Sequence, residues 1–210
     1  MSLTELRTVS MRNARVVLLA GPSGSGKSYI ARRTELPVLC LDDFYKDGHD
    51  PTLPRAHGIV DWDSPGSWDG TAALNAIVEL AHAGASNIPI YDIAHSRRSD
   101  DRLFRLDGSP IFVAEGIFAA EIVERCREAG VLADALAVQR PPAVTFVRRL
   151  VRDLREHRKP PKVLITRGIR LWHDDRQILR RQVTLGCEPM TARRIWSRVR
   201  ALRAACDLPA

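Results

Sequence analysis

The chain has 210 residues, of which 45% are hydrophobic and 27% charged, with a formal net charge of +7. A chain of this size can bury a full core as one domain, and no stretch approaches the ~20 uninterrupted apolar residues of a membrane-spanning helix. The four cysteines are far apart and form no C-x-x-C pair, which argues against a disulfide framework and a zinc site. We therefore expect a single cytoplasmic domain over residues 1–210, with no membrane partner.

Short apolar runs separated by helical patterns indicate the fold class. The first run, Arg15–Ala20, leads through a glycine-rich segment into a stretch that can be helical. Further buried strands fit Pro37–Leu41, Pro110–Ala114 and Ala135–Val138. Because these runs lack polar alternation, we predict an α/β fold whose mostly parallel sheet has helices on both faces. Such sheets bind ligands at the carboxyl ends of their strands.

Helical spacing occurs in four further places. Between the second and third strands, apolar residues recur at Leu74, Ile77, Val78 and Ala81, with Ser67 or Asp69 as the cap and Gly84 as the stop. An amphipathic helix is predicted after Pro142, and another spans about 174–185. The last helix carries Ile195, Trp196, Val199 and Leu202.

Residues Gly21–Ser28 satisfy the pattern G-x-x-x-x-G-K-[ST] between a predicted strand and a predicted helix. Glycines in such a loop let successive backbone N–H groups turn inward and bind phosphate oxygens. The lysine neutralises the terminal phosphates and the last hydroxyl ligates Mg²⁺. The motif predicts ATP and Mg²⁺ as cofactors, with the nucleotide bound by Gly21, Ser23, Gly24, Ser25, Gly26, Lys27, Ser28 and Tyr29.

Carboxylates follow two of the predicted strands. Glu115 comes directly after the third strand, where P-loop proteins place an acidic group toward the metal, so Ser28 and Glu115 are the expected metal ligands. Asp42 ends the second strand and is the candidate base that accepts or orients the proton of an attacking hydroxyl. The alternative role for the pair Asp42-Asp43 is a turn or a helix cap.

Basic residues dominate the C-terminal third, since residues from Arg140 onward include 18 of the 32 lysines and arginines. Guanidinium groups match phosphate oxygens and can stabilise charge on a transferring phosphoryl group. We therefore predict a lid over ATP at about 141–162, in which Arg148 and Arg152 act together with Lys27. The alternatives are a solubilising helix surface, or a nucleic-acid-binding protein whose P-loop is a nucleotide switch.

Two stretches, at about 42–68 and 88–108, are expected to form the acceptor-site loops. The first offers the ring of Trp62 beside the carboxylate of Asp63, which could accept two hydroxyl hydrogen bonds. The second groups rings, hydrogen-bonding atoms and positive charge at Tyr91, Asp92, His95, Arg97 and Arg98. Such a mixture suits a small-molecule pocket, although an anchored loop and ordinary surface residues are the alternatives.

Several segments between Arg15 and about Pro160 together resemble the uridine kinase family of P-loop kinases. Besides the phosphate loop, these are Leu41–Tyr45 (D-x-F-Y), Asp61–Pro65 (aromatic-Asp-His-Pro), Tyr91–Arg97 (tyrosine to H-S-R), Glu115–Ile117 (E-G-I) and Arg148–Asp153 (the lid helix). The resemblance implies a P-loop kinase fold with an arginine-rich lid helix. The implied activity is transfer of the ATP γ-phosphoryl group to the 5′-hydroxyl of a pyrimidine nucleoside.

The resemblance also implies roles for individual residues. Asp42 would be the base, Tyr45 would line the nucleoside site, Asp63 would hold the ribose hydroxyls, Trp62 would flank the base, and Tyr91, His95 and Arg97 would contact the pyrimidine.

The chain departs from the family pattern in three places. The segment between Tyr91 and His95 is one residue shorter, and Thr145 stands where the family has an arginine, with Arg140 as the candidate replacement. The sequence after Arg158 does not resemble the family closely. Three alternatives therefore stay open: a kinase for another small hydroxyl acceptor, as in the phosphoribulokinase and pantothenate kinase relatives; the nucleotide-switched nucleic-acid binder; and a catalytically silent homologue. A homo-oligomer is compatible with all of them.

Overall fold

The computed structural model describes residues 13–56, 58–141, 144–145 and 176–206. Their strands are β1 (Arg15–Ala20), β2 (Val38–Cys40), β3 (Arg55–Ala56), β4 (Ile59–Val60), β5 (Ala85–Asp92), β6 (Arg97–Arg105), β7 (Ile111–Glu115), β8 (Leu132–Val138) and β9 (Glu188–Met190). Their helices are α1 (Lys27–Arg32), α2 (Gly70–Ala83), α3 (Val123–Glu128), α4 (residues 176–184) and α5 (Ala192–Cys206). Short 3-10 turns lie at Leu41–Phe44, Pro65–Ser67 and Ala119–Ile122.

A five-stranded sheet in the order β2-β7-β1-β8-β9 forms the centre of the described chain, and all its neighbouring strands are parallel. The four strands predicted from apolar runs are β1, β2, β7 and β8. The parallel sheet is therefore confirmed. The short edge strand β9 was not predicted, because three residues carry too little pattern to be recognised.

The side chains of β1 alternate between two hydrophobic cores. Val16 and Leu18 pack on one side with residues of α2 and α3, whereas Val17 and Leu19 pack on the other with residues of α1 and α5. Strand β7 is buried along its whole length. Helices thus cover both faces of the sheet, as a parallel sheet without polar alternation requires.

Helix α2 has the boundaries that its sequence signals predict. The Asp69 carboxylate accepts hydrogen bonds from the backbone N–H groups of Thr71 and Ala72, at 3.1 and 2.9 Å. Gly84 ends the helix with φ +72°, a left-handed conformation that glycine adopts without strain. Of the two predicted caps, Asp69 is the one used. Ser67 instead donates to the carbonyls of Trp62 and Ser64 in the preceding turn.

The stretch 88–108, expected as a loop, is mostly an antiparallel hairpin of β5 and β6. All but one of the nine residues of β6 are exposed. The sequence of this strand therefore lacks the alternation of apolar and polar residues by which strands are recognised, and backbone pairing with β5 defines it instead.

The predicted lid lies almost entirely outside the described residues, which include only positions 141, 144 and 145 of it. The predicted phosphate-binding residues Arg148 and Arg152 fall in the undescribed part. Of the two helices predicted beyond the lid, the first is helical over 176–184 and the second over Ala192–Cys206. No helix among the described residues is long and apolar enough to cross a membrane.

Candidate active site

The phosphate loop connects the central strand β1 to α1. Gly24 and Gly26 have φ values of +80° and +89°, which favour glycine, and they turn the backbone inward between strand and helix. A Cβ at Gly21 would lie 2.8 Å from the Ser25 hydroxyl oxygen, so the loop closes tightly only with glycine there. The Lys27 side chain is buried, and its ammonium donates to the Pro22 carbonyl at 3.3 Å. The lysine is thereby held against the loop.

Glu115 lies beside this loop at the carboxyl end of β7. In the strand register Glu115 pairs with Leu19 of β1 on one side and with Cys40 of β2 on the other, and only 5% of the residue is exposed. Burial raises the pKa of its carboxyl, while the Lys27 ammonium and a hydrogen bond from the Ser28 hydroxyl lower it. Lys27, Ser28 and Glu115, which the sequence analysis placed in one site, therefore interact.

The donor set at this sheet edge suits Mg²⁺, which proteins bind through one or two carboxylates together with substrate phosphates and water. The Ser28 hydroxyl and the Glu115 carboxylate supply hard oxygen ligands. Among the described residues no group of three or more histidine, cysteine, aspartate or glutamate side chains could hold a metal by itself.

Asp42 lies at the same edge, in the 3-10 turn that follows β2. A Cβ on Gly116 would come within 3.2 Å of an Asp42 carboxylate oxygen, so the aspartate approaches the turn after Glu115 closely. The Asp42 charge also raises the pKa values of Glu115 and Tyr45, although burial is the larger cause for both groups. Asp42 therefore lies near both the buried Glu115 carboxyl and the Tyr45 side chain.

Asp43, the next residue, has a different environment. One of its carboxylate oxygens is 3.8 Å from the Arg102 guanidinium, and the carboxylate accepts a hydrogen bond from the Tyr91 backbone. Burial raises the pKa of Asp43, and these two partners oppose the rise. Because Arg102 and Tyr91 belong to the β5–β6 hairpin, Asp43 attaches that hairpin to the strand-end turn. Arg102 was not identified from the sequence.

Aromatic rings form a wall next to Asp42. The Tyr45 ring centroid is 5.9 Å from those of Trp62, Tyr91 and Phe118. The Tyr45 hydroxyl donates to the Trp62 carbonyl at 3.4 Å, and the Tyr91 hydroxyl donates to the Lys46 carbonyl at 3.1 Å. The structure thus brings together three residues that the sequence analysis assigned to the acceptor site.

Two aromatic residues of this region were missed in the sequence. Phe118 follows directly after the E-G-I segment Glu115–Ile117, and its position next to that motif could have identified it as a site residue. The Trp68 indole donates to the Leu41 carbonyl at 2.7 Å and so holds the turn that carries Asp42. A buried tryptophan without a motif around it gives no such signal, because the partner that makes it important is 27 residues away.

The remaining predicted acceptor residues lie toward the outside of this wall. Asp63 is exposed, and its charge contributes to the raised pKa of Tyr45. His95 is at the tip of the hairpin, where its ring nitrogen lies 2.7 Å from an Asp92 carboxylate oxygen, with 68% of the side chain exposed. The exposed Arg97 pairs with Asp92 in the strand register. The structure therefore groups His95 and Arg97 with each other at the hairpin tip.

Tyr29, predicted to contact the nucleotide, is 46% exposed on α1. Its ring meets that of Trp196 edge to face at 6.3 Å, and its hydroxyl accepts a hydrogen bond from the Arg33 guanidinium at 3.0 Å. Trp196 belongs to α5, which is joined to α1 in this way. A contact between Tyr29 and a nucleotide stays a prediction.

Comparison with known proteins gives two kinds of likeness. No protein-family model matches the chain. A uridine kinase of Deinococcus deserti is 32% identical to it over 160 residues, covering 71% of this chain and 73% of that protein. A uridine kinase of Geobacillus kaustophilus is 31% identical over 149 residues, covering 67% and 68%. A solved structure from Silicibacter sp. TM1040, provisionally named a fructose transport system kinase, matches with a TM-score of 0.52 at 18% identity, covering 79% of this chain and 82% of that one.

The structural match shows a shared fold, and the two sequence matches each cover two thirds or more of both proteins. Together they define an ATP-dependent phosphotransferase of the P-loop class. Within that class, the chain belongs to the uridine kinase family.

Proposed function

We propose that this kinase transfers the γ-phosphoryl group of ATP to the 5′-hydroxyl of a pyrimidine nucleoside. The observation that carries the proposal is that the Asp42 carboxylate lies close to the turn after Glu115 and also interacts electrostatically with Tyr45 of the aromatic wall. A phosphate site and an aromatic pocket that share one carboxylate suit the transfer of phosphate to a hydroxyl on a ring-bearing acceptor.

In the proposed reaction, the acceptor hydroxyl lies next to Asp42, which accepts or orients its proton. The acceptor oxygen forms a new bond to the γ-phosphorus, the bond from that phosphorus to the β–γ bridging oxygen breaks, and ADP leaves. The buried Lys27 ammonium stabilises negative charge on the moving group, because charge interactions are stronger where water is excluded.

Nucleotide and metal would be held by the residues that the motif predicts. Backbone N–H groups of the loop from Gly21 to Ser28 would bind the phosphates, and the Ser28 hydroxyl and Glu115 carboxylate would bind Mg²⁺. When bound, Mg²⁺ neutralises charge on the phosphate oxygens. The lid residues Arg148 and Arg152 are proposed as further phosphate ligands.

The acceptor would lie against the rings of Tyr45, Trp62 and Tyr91. Rings of this kind offer flat apolar faces for a nucleobase, and their fixed spacing supports a preformed pocket. Asp63, close enough to Tyr45 for its charge to raise that residue's pKa, is proposed to accept hydrogen bonds from ribose hydroxyls. His95 and Arg97 are proposed to reach the base from the hairpin tip.

A substrate panel tests the proposal directly. ADP release with ATP and Mg²⁺ should be fastest with uridine or cytidine, slower with purine nucleosides, and near background with ribulose 5-phosphate or pantothenate. ADP release that depends only on a non-nucleoside alcohol would assign the chain to another acceptor. ATP binding without ADP release from any acceptor would support a silent homologue.

The paired aspartates offer a matched test of the base. Asp42→Asn should reduce turnover by about 10²- to 10⁴-fold while leaving ATP binding intact. In Asp43→Asn the negative charge that faces Arg102 and the Tyr91 backbone is removed, so the β5–β6 hairpin is held less firmly. This variant should mainly raise KM for the acceptor. An Asp42→Asn enzyme with a near-normal rate would remove the base assignment.

The cytoplasm is the proposed compartment. All four cysteines are free, and burial raises the pKa values of the Cys126 and Cys187 thiols to about 12. Buried, protonated thiols of this kind fit a reducing environment, in which disulfides are rare.

A further inference from the structure

A small cavity adjoins the phosphate loop at the carboxyl end of β8. Its volume is about 200 Å³, and its lining residues are Pro22, Val138, Gln139, Arg140, Thr145, Arg176 and Leu179. Sites that enclose a whole small molecule measure roughly 300–1,000 Å³, so this cavity can hold only a part of a ligand. Pro22 belongs to the phosphate loop, and its carbonyl accepts the hydrogen bond from the Lys27 ammonium. The cavity therefore borders the predicted phosphate site.

The lining of the cavity is positively charged. Arg140 follows β8 and Arg176 belongs to α4, and no acidic residue is among the described residues that line the cavity. Arg176 has no hydrogen-bond or ion-pair partner among the residues that the structure describes. By contrast, Arg181 on the same helix forms two hydrogen bonds to the Glu121 carboxylate, both at 2.9 Å. Arg176 and Arg181 thus differ in that only Arg181 has its charge balanced by a described neighbour.

Helix α4 is fixed to the segment that follows Glu115. Besides the pair of Arg181 with Glu121, the Gln182 amide donates to the Ile117 carbonyl at 3.2 Å, and Gln182 is only 3% exposed. Five residues of α-helix, the separation of Arg176 from Arg181, span about 7.5 Å. The contacts of Arg181 and Gln182 with the segment after Glu115 therefore hold the backbone of Arg176 next to the cavity.

We propose that Arg176, assisted by Arg140, binds phosphate oxygens of the nucleotide in this cavity. A guanidinium presents its N–H groups as a planar fork that matches two phosphate oxygens, and it keeps its charge throughout the accessible pH range. The inference rests on the proposed function in that ATP occupies the phosphate loop. It adds a nucleotide-binding role for a helix in the C-terminal region.

Equilibrium binding to the full chain tests the inference without requiring turnover. ATP, ADP, AMP and adenosine would be titrated calorimetrically, in the presence of Mg²⁺, into wild type and Arg176→Gln. The variant should bind ATP about tenfold or more weakly, since a hydrogen bond to a charged group contributes enough for such a factor. Its affinity for adenosine should be unchanged. Arg180→Gln is the matched control, because Arg180 is exposed on the same helix and does not line the cavity.

Two further variants sharpen the outcome. Arg176→Lys keeps the charge without the fork and should fall between wild type and Arg176→Gln, and Arg140→Gln should weaken ATP binding in the same direction. Unchanged ATP affinity in Arg176→Gln would overturn the inference. An equal loss for adenosine and ATP would overturn the phosphate assignment.

The same titrations separate this inference from the proposed function. A wild-type chain that binds ATP but phosphorylates no nucleoside contradicts the proposed function only. A wild-type chain that does not bind ATP contradicts both.

Discussion

Asp42 and Asp43 are neighbours in the chain, yet their carboxylates have different surroundings. Asp42 faces the turn after Glu115, whereas Asp43 binds the backbone and an arginine of the β5–β6 hairpin. From sequence, Asp42 is the candidate base, with a turn or a helix cap as the alternative role for the pair. The 3-10 turn rotates adjacent side chains by about a third of a turn and so separates the two roles.

A substitution at Gly116 tests whether activity requires the close approach of Asp42 to the turn after Glu115. In Gly116→Ala the new Cβ would lie 2.8 Å from the Leu41 Cβ and 3.2 Å from an Asp42 carboxylate oxygen, so the turn has to move. A displacement near the reacting atoms should reduce turnover by roughly 10- to 100-fold, with ATP affinity nearly unchanged. Steady-state kinetics together with ATP titration measure both. Gly66→Ala, whose nearest atom would be 3.5 Å away, should behave as wild type.

The buried Glu115 carboxyl predicts a pH-dependent stability difference. Burial raises its pKa above the ordinary 4.5, so the folded state binds a proton more readily than the unfolded state, and ionisation costs stability as pH rises through this window. Glu115→Gln does not titrate. Without metal, its stability relative to wild type should therefore increase from pH 4.5 toward pH 7.

Denaturant unfolding at several pH values measures this difference. Glu128→Gln, which replaces an exposed carboxyl, is measured beside it as the control. A Glu115→Gln profile that does not differ from the control profile would contradict the assigned burial effect. In turnover assays with Mg²⁺, the same variant should be strongly impaired, because a proposed metal ligand is lost.

Among the elements, the β5–β6 hairpin is joined to the segment that follows Tyr45, and both carry residues of the proposed acceptor site. Asp47 accepts a hydrogen bond from the Arg98 backbone at 2.6 Å, and the Gly48 N–H donates to the Ser96 carbonyl at the same distance. These bonds tie residues just after Tyr45 to the hairpin tip that carries His95. The residues proposed for the acceptor site are therefore brought together by contacts between two segments that are distant in sequence.

Helix α2 depends on its cap in a way that can be measured. Asp69→Ala removes an acceptor for two backbone N–H groups, so the free energy of unfolding should fall by about 1 kcal/mol. Asp69→Asn keeps a capping oxygen and should lose much less. Urea denaturation of the two variants compares them. Equal losses would indicate that the negative charge, rather than the cap, contributes the stability.

At the scale of the molecule, the phosphate loop lies where the two cores meet the end of the sheet. It connects β1, which contributes to both cores, with α1, which packs in the second core. Ligand binding at the loop should therefore stabilise the described fold as a whole, because the loop is continuous with the central strand and a core helix.

ATP with Mg²⁺ at about 100 times its Kd should raise the free energy of unfolding by about 2.7 kcal/mol. Lys27→Ala, which removes the buried ammonium, should lose most of this gain at the same ATP concentration. Arg203→Ala, on the exposed side of α5, is the control and should keep it. Chemical denaturation with and without ATP measures the effect. A full gain in Lys27→Ala would contradict the phosphate-site assignment.

Local sequence patterns predict the sheet, the phosphate loop and the carboxylates at the edge of the sheet. Each depends on local signals, such as an apolar run for a strand, glycines for the loop and a carboxylate directly after a strand. Parallel strands then place those ends together, so Lys27, Ser28, Glu115 and Asp42 could be assigned to one site before any coordinates.

Contacts between distant segments, which local patterns do not encode, establish what surrounds Asp43, how Tyr45, Trp62 and Tyr91 come together, and which arginines border the cavity. These relations join residues far apart in sequence, such as Tyr45 with Tyr91 or Arg176 with Pro22. The exposed strand β6 could not be predicted from the sequence for the same reason, since the hydrogen bonds that define it are made to another strand. Local pattern fixes the elements and the strand ends, whereas contacts between elements fix the geometry of the site.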